Sequence, residues 1–187
     1  MEQPDRATLE AGLANILESP RDSGVLSLIV KRPASNEREV IESGKLSLDD
    51  GLVGDNWKSR GSGMTADRSA HADMQLNIMN ARAVALVAGD RERWPLAGDQ
   101  LYVDLDLSDD NLPPGSLLSV GEAIVKVTDV PHLGCRKFVM RYGRDAMEFV
   151  NSDVGRKHNL RGINARVVEG GCIRTSDPVT VLSRPEG

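Results

Sequence analysis

Short apolar segments, each closed by a glycine or proline turn, are the feature that most restricts how this chain can fold. Gly24 to Lys31 has the apolar density and β-branching of a buried strand. Leu101 to Leu107 alternates strictly between apolar and polar residues, and Ser116 to Val120 and Glu122 to Val130 predict two more strands. About eight such strands are expected. The pattern favours a mainly β (α+β) fold, a closed or partly closed β-barrel with inserted helices, over a βαβ sheet.

Helices and one long loop are expected between these strands. Residues 1–20 contain an amphipathic N-terminal helix that Asp5 can cap. A second helix is predicted from near Asn80 to Gly89, and a short third one over Arg144 to Val150. Asn56 to Asp73 has little hydrophobic periodicity. Loops of that length are often binding segments, so this one is a candidate rim for a pocket.

Composition and charge exclude several classes of protein. The 187 residues are 40% apolar and 27% charged, which suits a single domain over residues 1–187. A net charge of −5 opposes general affinity for nucleic acid or anionic lipid. The longest apolar stretch, Ala83 to Ala88, is much shorter than the roughly 20 residues of a membrane-spanning helix. The N-terminal residues lack the pattern of a secretory signal, so a cytoplasmic location is expected.

Cys135 carries the strongest chemical signal in the chain. It is predicted to lie where a strand gives way to a loop, which is a common position for functional residues. His132, Arg136 and Lys137 lie within three residues of it, and nearby cations favour the thiolate form. Thiolates attack electrophilic sulfur and bind soft metals. From these neighbours alone, a reactive thiol and an inert buried cysteine are equally well supported.

Cys172 has different surroundings. It enters a predicted strand from a glycine turn, and we expect it to be a small buried side chain. The two cysteines lie far apart in sequence, and free thiols are expected in a reducing compartment. A zinc site formed by both cysteines with His132 and His158 has suitable ligand types, but the ligand spacing lacks the usual clustered pairs.

A second basic segment runs from Gly155 to Arg166 and contains four cations. The planar guanidinium group suits a phosphate or a carboxylate. A solvated charged loop is the ordinary explanation for such a run, unless the fold brings it beside Cys135. Lys31, Arg32 and Arg38 form a weaker candidate anion contact. The chain lacks the usual nucleotide-binding, zinc-protease and serine-hydrolase motifs.

Four segments follow one another in an order typical of a known family. They are an early Gly-Leu-x-Gly-Asp turn with the apolar segment after it, a central block, a cysteine, and a closing basic segment: Gly51 to Asp55 with Asp73 to Asn77, Leu96 to Ala123, Gly134-Cys135, and Arg161 to Gly171. Together they resemble the MOSC domain, named after the C-terminal domain of molybdenum cofactor sulfurase, over about residues 25–183. The chain departs from the family pattern at Gly98-Asp99-Gln100, where Gly-Glu-Asn is usual, at Gly134, where proline is usual, and at Ser176.

The resemblance implies a single MOSC-like barrel that binds a molybdenum–pterin cofactor, with Cys135 as the metal ligand or as a carrier of sulfur. The cofactor-binding residues that it implies are Arg161, Lys157, Arg136, His132 and Asn164. It also implies a small-molecule substrate and a separate sulfur donor or electron-transfer protein. The larger family members add pyridoxal-phosphate or iron–sulfur domains, and neither group is expected in this chain.

Three functions stay open at this stage. Cys135 can ligate molybdenum for the two-electron reduction of an N-hydroxylated small molecule. It can instead accept a sulfane sulfur as a persulfide and pass it to a metal–sulfur acceptor without redox chemistry. The barrel can also be a non-catalytic module that binds a pterin or another anion. A fully buried Cys135 would favour this third function.

Overall fold

Seven β-strands close into a barrel in the computed structural model, which describes residues 3–185. Residues 3–185 contain eleven strands in all, of which four lie outside the ring; in chain order they are β1 (Ser23–Lys31), β2 (Glu39–Ile41), β3 (Ser43–Ser47), β4 (Gly51–Leu52), β5 (Leu76–Asn80), β6 (Leu101–Asp104), β7 (Leu117–Val120), β8 (Ala123–Val127), β9 (Ile163–Glu169), β10 (Gly171–Arg174) and β11 (Pro178–Ser183). The barrel order is β11-β7-β8-β9-β5-β6-β1, and β1 pairs again with β11. Only β5 and β6 are parallel in this ring. The predicted β-barrel with inserted helices is confirmed.

Five helices occur in residues 3–185, and three of them pack against one outer side of the barrel. The five helices are α1 (Arg6–Leu17), α2 (Trp57–Arg60), α3 (Ala81–Ala88), α4 (Arg136–Asn151) and α5 (Asp153–Lys157), with 3-10 turns at Ala72–Met74 and Arg91–Ala97. Leu9, Met79, Tyr102 and Phe138 belong to the buried cluster between helices and barrel. None of the helices in residues 3–185 has the length and apolarity needed to cross a membrane.

Strand β1 contributes to both cores, and a bulge determines which of its residues face each one. Side chains of a strand alternate between its two faces. Leu26 and Ile29 both point into the barrel core, whereas Leu28 and Val30 belong to the outer cluster. The β1–β6 pairing shifts between Leu26 and Leu28. One extra residue at that shift places Leu26 and Ile29 on the same face.

The helix starts follow capping chemistry in two cases and differ from prediction in a third. Asp5 caps α1 by accepting from the Thr8 backbone N–H at 2.8 Å, and the Asn80 side chain caps α3, so both predictions are confirmed. The predicted short helix over Arg144 to Val150 is present as the second part of α4, whereas the first part, which begins directly after Cys135, was not predicted. Gly143 has φ +88° and interrupts its helical dihedrals. Because this glycine interrupts the helical pattern, the sequence did not predict the part of α4 that precedes it.

Candidate functional site

Cys135 lies at the mouth of a pocket of about 190 Å³. It is exposed and is the residue that precedes α4, where its carbonyl accepts from the Phe138 N–H at 2.9 Å. The other walls come from the loop after β1, from the long loop at Asn56 and Arg60, and from the Ala97-Gly98 turn. The loop predicted to form the rim of a pocket thus contributes to one. Cys135 itself follows the loop after β8 and starts a helix.

Six cationic side chains of the described residues line this cationic pocket, and no aspartate or glutamate of residues 3–185 does. The six are Arg32, Arg38, Arg60, Lys137, Arg141 and Arg161. The pocket is therefore strongly positive in a chain whose net charge is −5.

Two of these cations are neutralised by buried carboxylates behind the wall. Arg32 donates from Nε and Nη2 to the two oxygens of Asp55 at 2.8 and 2.9 Å. Arg161 donates from Nη1 to both oxygens of Asp99 at 2.9 and 2.7 Å. Both carboxylates are fully buried, so these pairs hold the two guanidinium groups in fixed positions.

The other four cations have no acidic partner among residues 3–185. Arg38 and Arg141 donate only to backbone carbonyls, at Pro95, Glu37 and Leu96. Burial lowers the pKa of Arg38, and the neighbouring charges of Arg141 and Arg32 lower it further. Like charges repel at this range, so a bound anion relieves the repulsion among these groups.

His132 lies against the buried Arg161–Asp99 pair. Its side chain is 14% exposed, and Nδ1 is 3.5 Å from Asp99 Oδ1 without forming a hydrogen bond. Burial lowers the pKa of His132 well below its ordinary value, and the charges of Arg161 and Arg32 lower it further. The imidazole is therefore neutral at pH 7. Gly162, with φ +113°, leaves room for the ring, because a Cβ there would lie 3.2 Å from Nδ1.

Three buried polar atoms on the lining of the cationic pocket have no hydrogen-bond partner among the described residues. They are Asn56 Oδ1, His132 Nδ1 and Arg161 Nε. Buried polar groups in folded proteins are nearly always hydrogen-bonded. The lining of the cationic pocket thus holds donors and acceptors that the described residues leave unsatisfied.

The fold brings together some of the predicted site residues and not others. Cys135, His132 and Arg161 line the cationic pocket. Arg136 is exposed at the start of α4, outside the lining. Lys157 is also outside it and pairs with Asp110 at 3.4 Å.

Asn164 has a role in holding the barrel together. It is buried, accepts from Asn77 Nδ2 at 2.7 Å and donates to the Val130 carbonyl at 2.9 Å. Of the basic run from Gly155 to Arg166, Arg161 is the one residue that lines the cationic pocket. Arg166, for example, pairs with Asp73 instead.

The expectation of a buried Cys172 is also wrong. Cys172 is exposed on β10, where the alternating strand buries its neighbour Ile173 instead. Its N–H donates to Glu122 Oε2 at 3.1 Å. The four-residue zinc alternative gains no support, because within residues 3–185 no three His, Cys, Asp or Glu side chains are grouped to hold a metal.

Sequence reasoning missed Arg60 and Arg141 as pocket residues. Arg141 lies four positions after Lys137, which places both on one face of a helix. That signal needed α4 to be predicted from its true start. Arg60 carries no local signal, because its position depends on how the long loop folds back onto the barrel.

Comparison with known proteins identifies the fold. No family model matches the chain, and no curated protein matches it significantly. Among solved structures, YuaD from Bacillus subtilis matches with a TM-score of 0.60 at 14% identity, over 85% of this chain and 95% of that one. The chain has the YuaD and YiiM fold.

The YiiM structures come from two organisms. YiiM from Geobacillus stearothermophilus matches with a TM-score of 0.60 at 14% identity, over 88% of this chain and 77% of that one. YiiM from Escherichia coli matches with a TM-score of 0.53 at 19% identity, over 87% of this chain and 72% of that one. At these identities the likeness concerns the barrel and its helices, and function has to be argued from the site.

Proposed function

We propose that this chain is a MOSC-family protein that binds a molybdenum–pterin cofactor in the cationic pocket at Cys135. The observation that carries the proposal is an exposed thiol on the same pocket as four cations that no carboxylate of residues 3–185 neutralises. A soft thiolate suits molybdenum, and arginine suits the phosphate of a pterin cofactor. The ordered MOSC-like segments and the fold shared with YuaD and YiiM add support.

The residues on the lining fit such a group in charge and in donor type. Cys135 would supply the sulfur ligand, and Arg38, Arg60, Lys137 and Arg141 would hold the phosphate. The unpartnered Asn56 Oδ1 can accept from an N–H at the polar edge of a pterin ring.

When bound, the cofactor would supply the two-electron chemistry for reducing an N-hydroxylated or related small molecule. The chain's own groups bind and orient it. The Asp55 and Asp99 carboxylates fix two guanidinium groups in place. A neutral His132 provides one hydrogen-bonding nitrogen without adding charge. A separate electron-transfer protein is needed as reductant.

Metal and pterin content of three variants tests the proposal. The protein is expressed with the cofactor pathway active, purified anaerobically and analysed for both components. We expect wild type to carry molybdenum and pterin together, Cys135→Ser to lose molybdenum, and Arg141→Ala to lose both. Arg144→Ala is the matched control, because Arg144 lies on the same helix but is exposed and pairs with Glu148 at 2.6 Å. A wild-type protein free of both components, or Arg141→Ala equal to wild type, contradicts the proposal.

Persulfide transfer is the second candidate, and the exposure of Cys135 favours it over a non-catalytic module. The Cys135 thiolate attacks the outer sulfur of a donor persulfide, forming Cys135–S–S⁻ and releasing the donor's thiolate. Incubation with a cysteine desulfurase and cysteine, followed by intact mass measurement, tests this step. We expect one added sulfur on wild type and on Cys172→Ser, and none on Cys135→Ser. A mass gain of one sulfur that persists in Cys135→Ser rejects persulfide formation on Cys135.

A further inference from the structure

A second cavity, of about 390 Å³, shares one wall with the cationic pocket. It is bounded by the loop between β8 and α4, by α5 with the turn after it, and by the start of β9. His132 and Arg161 line both cavities. Molecules bound in the two cavities would therefore lie on opposite sides of these two side chains.

The chemistry of the second cavity differs from that of the cationic pocket. Much of its lining is aliphatic, from Leu112, Val127, Val130, Leu133, Val150 and Ile163. Its other charged side chains, Asp109, Asp129 and Arg156, are exposed at the rim. Asp109 accepts from Asn159 Nδ2 at 2.8 Å, and Arg156 donates to a backbone carbonyl. Mostly apolar walls with few polar groups are typical of sites for uncharged small molecules.

The shared wall holds two buried polar atoms, directly behind the lining, for which the described residues supply no partner. Arg161 is 7% exposed, and its Nε finds no acceptor within residues 3–185. His132 Nδ1 is also unpartnered and buried. An arginine Nε–H only donates, so its missing partner is an acceptor such as a carbonyl oxygen or a ring nitrogen. The Asn164 amide on the same lining already has its partners.

We propose that the second cavity binds an uncharged, partly apolar small molecule that presents a hydrogen-bond acceptor to Arg161, and that this molecule is the substrate. The volume is ample for one or two fused rings. The role as substrate rests on the proposed function, whereas the binding and its preference for an uncharged ligand do not. The cationic pocket and the second cavity thus separate an anionic ligand from a neutral one.

Nicotinamide and nicotinate are suitable probes because they share a shape and differ in charge. Each is titrated into the metal-free full chain, and backbone amide shifts are followed by NMR. We expect nicotinamide to cause saturable shifts around Gly162 and Ile163, with a Kd of about 1–10 mM for so small a ligand. Nicotinate is expected to leave these amides unshifted. Absence of saturation, or equal binding of both probes at these residues, overturns the proposal.

Variants locate the binding. Val130→Trp fills the second cavity and is expected to weaken nicotinamide binding at least tenfold. Leu133→Trp serves the same purpose at a more exposed lining position, should the first variant fail to fold. Arg144→Ala, an exposed position of α4 paired with Glu148, is expected to leave nicotinamide binding unchanged. Undiminished binding in a folded tryptophan variant refutes the location.

Nicotinamide binding in a protein that lacks molybdenum and pterin after cofactor-replete expression would support the second cavity as a binding site while rejecting the proposed function. Failure of nicotinamide binding in a protein that does carry the cofactor would reject the second cavity alone.

Discussion

Replacing Asp99 by asparagine tests whether the buried ion pair behind the cationic pocket fixes Arg161. Both oxygens of Asp99 accept from Arg161 Nη1, at 2.9 and 2.7 Å, and the carboxylate is fully buried. Asp99→Asn keeps one acceptor but leaves the guanidinium charge without a counter-ion. Removing one partner of a buried pair costs about 3–5 kcal/mol. Because one hydrogen bond can persist, we expect the free energy of unfolding to fall by about 3 kcal/mol.

Urea denaturation followed by tryptophan fluorescence measures this loss. A second variant, Arg161→Met, and the double variant complete a cycle. Methionine removes the buried charge, so the double variant is expected to be more stable than the sum of the two losses predicts, by about 2 kcal/mol. Losses that simply add, or an Asp99→Asn variant within about 0.5 kcal/mol of wild type, would refute the account of this pair.

Three further predictions concern the neighbourhood of the thiol. Gly162→Ala is expected to lower the free energy of unfolding by more than about 2 kcal/mol, because φ at this position is positive and the added Cβ would overlap a carbonyl oxygen of β5. Gly63→Ala is the control. A Cβ at Gly63 meets no atom within 4 Å, so this variant should change the free energy of unfolding by less than about 0.5 kcal/mol in the same urea assay. The pKa of His132 is lower in the folded state than in the unfolded state, where it is about 6.5. Below that pH the unfolded state takes up a proton that the folded state does not. The free energy of unfolding therefore falls by about 1.4 kcal/mol per pH unit as the pH drops below about 6.5. The free energy of unfolding of His132→Gln should lack this pH dependence between pH 7 and 5. A variant whose pH profile is identical to that of wild type would contradict the prediction. A dianionic aromatic disulfide should modify Cys135 faster than Cys172, which lies beside Glu122, by about tenfold at low salt, and the ratio should shrink at about 1 M salt. Equal and salt-independent rates in the two single-cysteine variants would count against a positive surrounding for Cys135.

The barrel was predictable because its signals are local. Strand alternation, glycine and proline turns, and the cap at Asp5 each depend on a few neighbouring residues, and these signals agree with one another. The bulge in β1 left no comparable signal. The start of α4 was missed because Gly143 interrupts the helical pattern in the sequence as well as in the backbone.

The site was predictable where its residues lie near Cys135, match the MOSC-like segments, or belong to the basic group of Lys31, Arg32 and Arg38, of which Arg32 and Arg38 line the cationic pocket. His132 and Arg161 were found in this way. Arg60 and Arg141 come from distant segments, and their convergence depends on how the loops and α4 pack onto the barrel. Arg136 lies next to Cys135 in sequence but points elsewhere, because successive residues of a helix lie on different faces.

Calorimetric titration with inorganic pyrophosphate tests the central claim most directly, because it measures anion binding in the cationic pocket without needing the cofactor. Wild type is predicted to bind one pyrophosphate, more weakly as salt is added. The double variant Arg38→Ala/Arg141→Ala should bind at least about tenfold more weakly, since each lost charge-assisted hydrogen bond contributes about 1.5–3 kcal/mol. Arg144→Ala should match wild type. Equal affinity in all three proteins, or no binding to wild type, would contradict the claim that this pocket receives an anionic group.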